Sequence, residues 1–169
     1  MSINDRGFTL IEIVMVIVLL AIIVPGVMFY FIQGVRDSAE PQTRISTLFL
    51  AEALMEETKS KRWDEGSSVN IQEICSSASA VLGAEGGESR STYDDIDDFN
   101  GLDNIPPIDS QGVAMSGYPG YRRQASITYV NSADMNTGVA GPTCYKRIAV
   151  TVTSSGEPPI ELVSLMTSY

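Results

Sequence analysis

Apolar residues fill nearly every position from Phe8 to Ile32, and beyond that point they come in short groups separated by polar residues. The first stretch has no polar face, and its single charged residue is Glu12. A helix of roughly 25 residues at ~1.5 Å each is ~36 Å long and crosses the hydrocarbon of a bilayer. Pro25-Gly26 interrupts it, and the missing amide predicts a kink there. From Gly34 to Arg44 the chain turns polar, and Pro41 predicts a break or bend near Asp37–Glu40. Helical spacing then resumes to about Arg62. Ile45, Leu48, Phe49, Leu54 and Met55 are expected on the face that meets a sheet, with Glu57 and Lys61 paired four residues apart.

Ser67 or Ser68 is placed to cap a short helix carrying Ile71, Ile74, Cys75, Ala78, Val81 and Leu82, with Gly83 as its stop. The last third alternates with period two. Tyr121, Arg123, Ala125, Ile127 and Tyr129 share one face of a strand, and Ile148, Val150 and Val152 share one face of the next. An Asn/Gly/Pro-rich loop over 131–142 separates them, Ser154–Pro159 makes a turn, and Ile160–Met166 forms a last strand whose inward face the pattern leaves open. The expected class is α+β: a long N-terminal helix packed against a small antiparallel sheet.

Roughly 105 residues follow the long helical region, enough for one small domain with its own core. The formal charge of −10 and the pI near 4.3 argue against nucleic-acid binding and suit an extracytoplasmic domain kept soluble by charge. The chain has no histidine, no Gly-rich phosphate loop and no serine set beside a recognisable base, so neither an enzyme nor a cofactor is expected. In an exported protein its two cysteines read as one disulfide, Cys75–Cys144, with two buried free thiols as the alternative. Asp94, Asp95, Asp97 and Asp98 form the densest acidic cluster and are a weak calcium candidate. The EF-hand spacing fails, since counting back from Gly101 puts Ile96 at the first ligand position. A solvated turn, or a salt bridge to Arg90 or to Arg122-Arg123, is the plainer reading.

Glu12 is the residue a simple anchor does not explain. An acid in hydrocarbon costs about 2.5–3.5 kcal/mol even on lenient insertion scales. No basic residue lies within the run, so its partner is expected from another molecule. A secretory signal is excluded by the length of the run and by the lack of a small-residue cleavage site at its end. Gly7-Phe8-Thr9-Leu10-Ile11-Glu12 followed by an apolar helix resembles the processing site of type IV pilins and pseudopilins. The resemblance implies a leader, 1–7, removed by prepilin peptidase after Gly7, and an N-methylated Phe8 as the new N-terminus. It also implies a helix over 8–62 whose 8–32 portion lies first in the inner membrane and then in a filament core. Glu12 would meet the N-terminal amine of a neighbouring subunit, and 63–169 would form a periplasmic head. Arg6 agrees with a cytoplasmic leader, a signal that Asp5 weakens.

Ala39-Glu40-Pro41, the stretch Leu50–Glu65, the region Arg90–Gly101, Gly117–Tyr121 and Lys146–Val152 together resemble the D-type minor prepilins of the mannose-sensitive haemagglutinin (MSHA) pilus. Ser67–Gly87 fits that pattern least. The implied role is a minor pilin-like structural subunit that joins or primes a type IV pilus. Its implied partners are prepilin peptidase, major and minor pilins, an inner-membrane assembly platform and an assembly ATPase. The alternatives are a minor pseudopilin of a type II secretion system and a tip adhesin that binds a surface receptor.

Overall fold

The computed structural model describes residues 9–65, 75 and 78–168, the side chains of 36–41 excepted. It has the α+β, type IV pilin-like arrangement expected from the chain. A 50-residue helix, α1 (Leu10–Lys59), precedes a one-turn 3₁₀ segment (Asp97–Phe99) and four strands: β1 (Asp103–Asn104), β2 (Arg122–Val130), β3 (Tyr145–Thr153) and β4 (Ile160–Thr167). Two compact units divide the chain between Gln42 and Thr43, a boundary that falls within α1.

In the first unit the side chains from Leu10 to Val35 are exposed on every face of the helix. Among the described residues this is the one stretch long and apolar enough to cross a membrane. Pro25 does not end the helix, and neither does Pro41, where the polar composition predicts a break. A proline removes one amide from the ladder, and the turns on both sides of each proline retain helical geometry.

The second unit holds the core. Its sheet is antiparallel throughout, in the order β1-β2-β3-β4, with Ile127 opposite Ile148 and Val150 opposite Leu162. Ala125, Ile127, Tyr129, Ile148, Val150 and Val152 are buried with Leu50, Ala51, Leu54 and Met55 of α1. Fully burying a Leu or Ile side chain contributes about 1.5–3 kcal/mol, so this face accounts for the helix's attachment to the sheet. The buried stripe differs from the expected one. It runs Thr47, Leu50, Ala51, Leu54, Met55 and Thr58, while Ile45, Leu48 and Phe49 stay exposed. Apolar spacing overlooks the two threonines. Thr47 and Thr58 donate their hydroxyls to the carbonyls of Thr43 and Leu54, both at 2.8 Å, and so enter the interface with their polar atoms satisfied.

The helix ends at Lys59, earlier than its periodicity suggests, because the chain then pairs with the acidic turn. Arg62 donates its amide to the Asp94 carbonyl, and Ile96 donates to the Arg62 carbonyl at 3.0 Å. Glu57 and Lys61 do not pair with each other. Glu57 takes Arg90, and Lys61 reaches the Tyr93 carbonyl. The short strand β1 carries no alternation to betray it. On β4, Ile160, Leu162 and Met166 pack on the core while Val163 and Leu165 face outward. Of the short helix expected over 67–83, residues 78–83 are described and are bends and loop rather than helix, and the rest, Cys75 excepted, lies outside the described residues. A disulfide joins Cys75 and Cys144.

Candidate functional site

At the start of α1 the Thr9 carbonyl accepts the amides of Glu12 and Ile13 at 3.1 and 3.3 Å, which sets Glu12 in the first helical turn. Negative charge there is favoured by the helix dipole by about 0.3–1 kcal/mol, too little to offset a carboxylate in hydrocarbon. Ile13, Val16 and Ile17 line the same side of the helix as Glu12, so the acid stands on an apolar surface. Gly7 and Phe8 lie outside the described residues.

In the second unit the four aspartates do not act together. Asp95 and Asp97 are fully buried and Asp98 nearly so, which rules out a solvated turn. Asp95 serves the backbone. Its Oδ1 accepts the amides of Asp97 and Asp98 at 2.7 and 3.3 Å, and its Oδ2 accepts that of Glu65 at 2.9 Å. Asp98 Oδ2 accepts the amides of Asp94 and Asp95 at 2.8 and 3.1 Å. Asp94 pairs with Arg62. Asp97 faces the fully buried Lys146, with 2.7 Å between Oδ1 and Nζ. The expected basic partners are engaged elsewhere: Arg90 with Glu57, Arg122 with Asp103, and Arg123 with the Ile108 carbonyl.

Lys146 organises the interior of this unit. Its ammonium also donates to the Trp63 carbonyl at 2.7 Å and to Asp64 Oδ2 at 3.2 Å, and lies 4.0 Å from the Trp63 ring centroid. Burial raises the Asp97 carboxyl to about 7 against the pull of this ammonium. Tyr129 donates its hydroxyl to the Ser79 carbonyl at 2.7 Å, and burial holds that phenol protonated well above its ordinary range. A lysine at the start of an alternating strand reads by residue type as solvent-facing. Only its parity with Ile148, Val150 and Val152 could have shown that it points inward. This constellation is a buried frame that ties the end of α1 to β3.

Residues 3–24 match the family described as the prokaryotic N-terminal methylation motif. That N-terminal segment is prepilin-like. The matched segment contains Gly7, Phe8 and Glu12 and runs into the apolar helix, an arrangement like that of type IV pilin and pseudopilin precursors. Such motifs mark structural subunits, and the apolar helix fits a single pass of the inner membrane. No curated protein and no solved structure matches the chain.

Proposed function

We propose that this prepilin-like chain is a minor subunit of a type IV pilus. Prepilin peptidase cleaves it after Gly7, Phe8 becomes the methylated N-terminus, and the apolar helix holds it in the inner membrane with the second unit on the periplasmic side. Assembly then moves that helix from lipid into a bundle of pilin helices, on a platform driven by an ATPase. The observation that carries this reading is Glu12: one acid in the first turn of a helix whose apolar side chains are exposed on all sides, inside the methylation motif. A carboxylate there needs a cation at the same depth, and the amine of a neighbouring subunit's Phe8 is of that kind. In a low-dielectric bundle such a pair is strongly favoured over either charge left alone, and it sets the axial stagger of subunits.

On the second unit Ile45, Leu48 and Phe49 are exposed apolar side chains, which supports packing of this part of α1 with other pilins. The scattered likeness to D-type MSHA prepilins supports a pilus over a secretion pseudopilus. The test is Glu12→Ala. Processing to the mature size and membrane insertion should persist, while the subunit disappears from sheared surface filaments. Wild-type incorporation of the variant would overturn the role of Glu12, and absence of the wild-type chain from surface filaments would overturn the pilus assignment.

A further inference from the structure

The sheet of the second unit has two edges, and they are finished differently. β1 forms one of them. It is two residues long, and its Asp103 is held by Arg122 and Gln124. β4 forms the other. It pairs with β3 from Ile160↔Val152 to Thr167↔Tyr145 without a bulge, and among the described residues nothing pairs with its outer side. Sheets protect such an edge by keeping it short or by setting lysine, proline or a bulge in it. Ile160–Thr167 has none of these. No residue of the strand is fully buried, and on its outward face Val163 and Leu165 are 50% and 43% exposed.

The order of residues along β4 is self-complementary. Counted outward from Ser164, Val163 mirrors Leu165, Leu162 mirrors Met166, and Glu161 mirrors Thr167. An antiparallel pair of two such strands centred on Ser164 sets Val163 opposite Leu165 on the outward face and Leu162 opposite Met166 on the core face. Directly opposed apolar side chains of this kind stabilise a ladder, and opposed like charges destabilise it. The strand's one charge, Glu161, pairs with Arg147 of β3 at 3.6 Å and falls opposite Thr167, so no like charges meet although the chain carries a formal charge of −10. Centring the pair on Val163 instead would set Glu161 opposite Leu165 and Leu162 opposite Ser164. The pattern therefore specifies both the partner strand and its register.

We propose that β4 is a homotypic docking edge, which pairs antiparallel with β4 of a second copy about Ser164 and joins the two sheets into one. The same patch serves both partners, as a two-fold contact requires. Its axis stands perpendicular to the joined sheet, so the two 43–59 portions of α1 packed on that sheet run in opposite senses. The two second units meet head to head, and the contact closes on itself instead of propagating along a fibre. It is separate from the helix packing proposed above and does not rest on it.

The test uses the full chain in detergent, followed by sedimentation over a concentration series. A concentration-dependent dimer is expected, with an affinity at the micromolar, weak end for protein interfaces. Leu165→Lys, on an outward-facing side chain, should leave thermal melting unchanged. It should weaken the dimer roughly tenfold, since a symmetric contact meets the change twice. Adding Val163→Glu to Leu165→Lys should restore the dimer, because each introduced lysine then faces the introduced acid of the other copy. Under mild oxidation Ser164→Cys should give a disulfide-linked dimer on a non-reducing gel, and Ser126→Cys, exposed on β2, should not. A wild-type chain that stays monomeric, a dimer that survives Leu165→Lys, or a double variant no better than the single one overturns the proposal. The first two outcomes leave the pilus reading standing, because that reading is decided by Glu12 and by surface filaments.

Discussion

The two units of this chain treat an acid in apolar surroundings in opposite ways. In the first, Glu12 stands in a run where no other residue from Gly7 to Val35 carries a charge. In the second, Asp64 and Asp97 are buried within the unit, which supplies the cation itself in Lys146. The same contrast holds for apolar side chains. Leu50 and Leu54 are covered by the sheet, whereas Leu10 to Val35 are exposed around the whole circumference of the same helix. A unit that satisfies its own groups is a folded body, and one that leaves them open is completed by lipid or by other subunits.

The strongest way to break this contrast is Lys146→Ala, which takes away the ammonium that the buried Asp64 and Asp97 face. Removing one partner of a buried pair costs about 3–5 kcal/mol, and thermal melting of the full chain in detergent should show it. A loss below about 1 kcal/mol would mean that Asp64 and Asp97 are satisfied without the ammonium. Replacing both cysteines by serine frees a loop with a sequence separation of 69 residues and should lower stability by about 4 kcal/mol in the same assay. Leu54→Ala should cost about 2–5 kcal/mol, since Leu54 has no exposed surface, while Leu20→Ala in the apolar run should leave the same melting transition within about 0.5 kcal/mol. Equal effects at the two leucines would erase the distinction between the units. The smallest change is expected from Arg62→Ala, which opens a half-exposed pair with Asp94 worth at most about 1 kcal/mol.

Acidity sharpens the picture within the second unit. Glu88 and Asp97 both hold their protons to about 7, above ordinary values of 4.5 and 3.8. The folded chain therefore binds more protons than the unfolded one between those limits, so stability falls as pH rises through that window. Denaturant titrations at intervals from about pH 4 to pH 7.5 should show this decline.

Much of the architecture was legible because single elements carry strong periodic signals. The apolar run admits one structure, and the strands β2 and β3 follow from strict alternation that buries Ala125, Ile127, Ile148 and Val150. The stripe of α1 was misread where threonines replace apolar residues and where Ile45, Leu48 and Phe49 are apolar without being buried. The four aspartates were legible as a cluster. Their division into backbone-bonded Asp95 and Asp98, a Lys146-paired Asp97 and a half-exposed Asp94 paired with Arg62 was not, because most of the partners lie at distant positions in the chain.

The chain's order of residues was sufficient for the methylation motif, the membrane-length helix and the alternating strands, since each depends on neighbours within a few positions. Tertiary structure alone decided that Lys146 turns inward, that Arg90 chooses Glu57, and that Glu65, Glu85 and Glu88 gather beside Asp94 and Asp98. Those are choices among charges scattered between Glu57 and Lys146, and only packing sets which of them lose their water and must find one another.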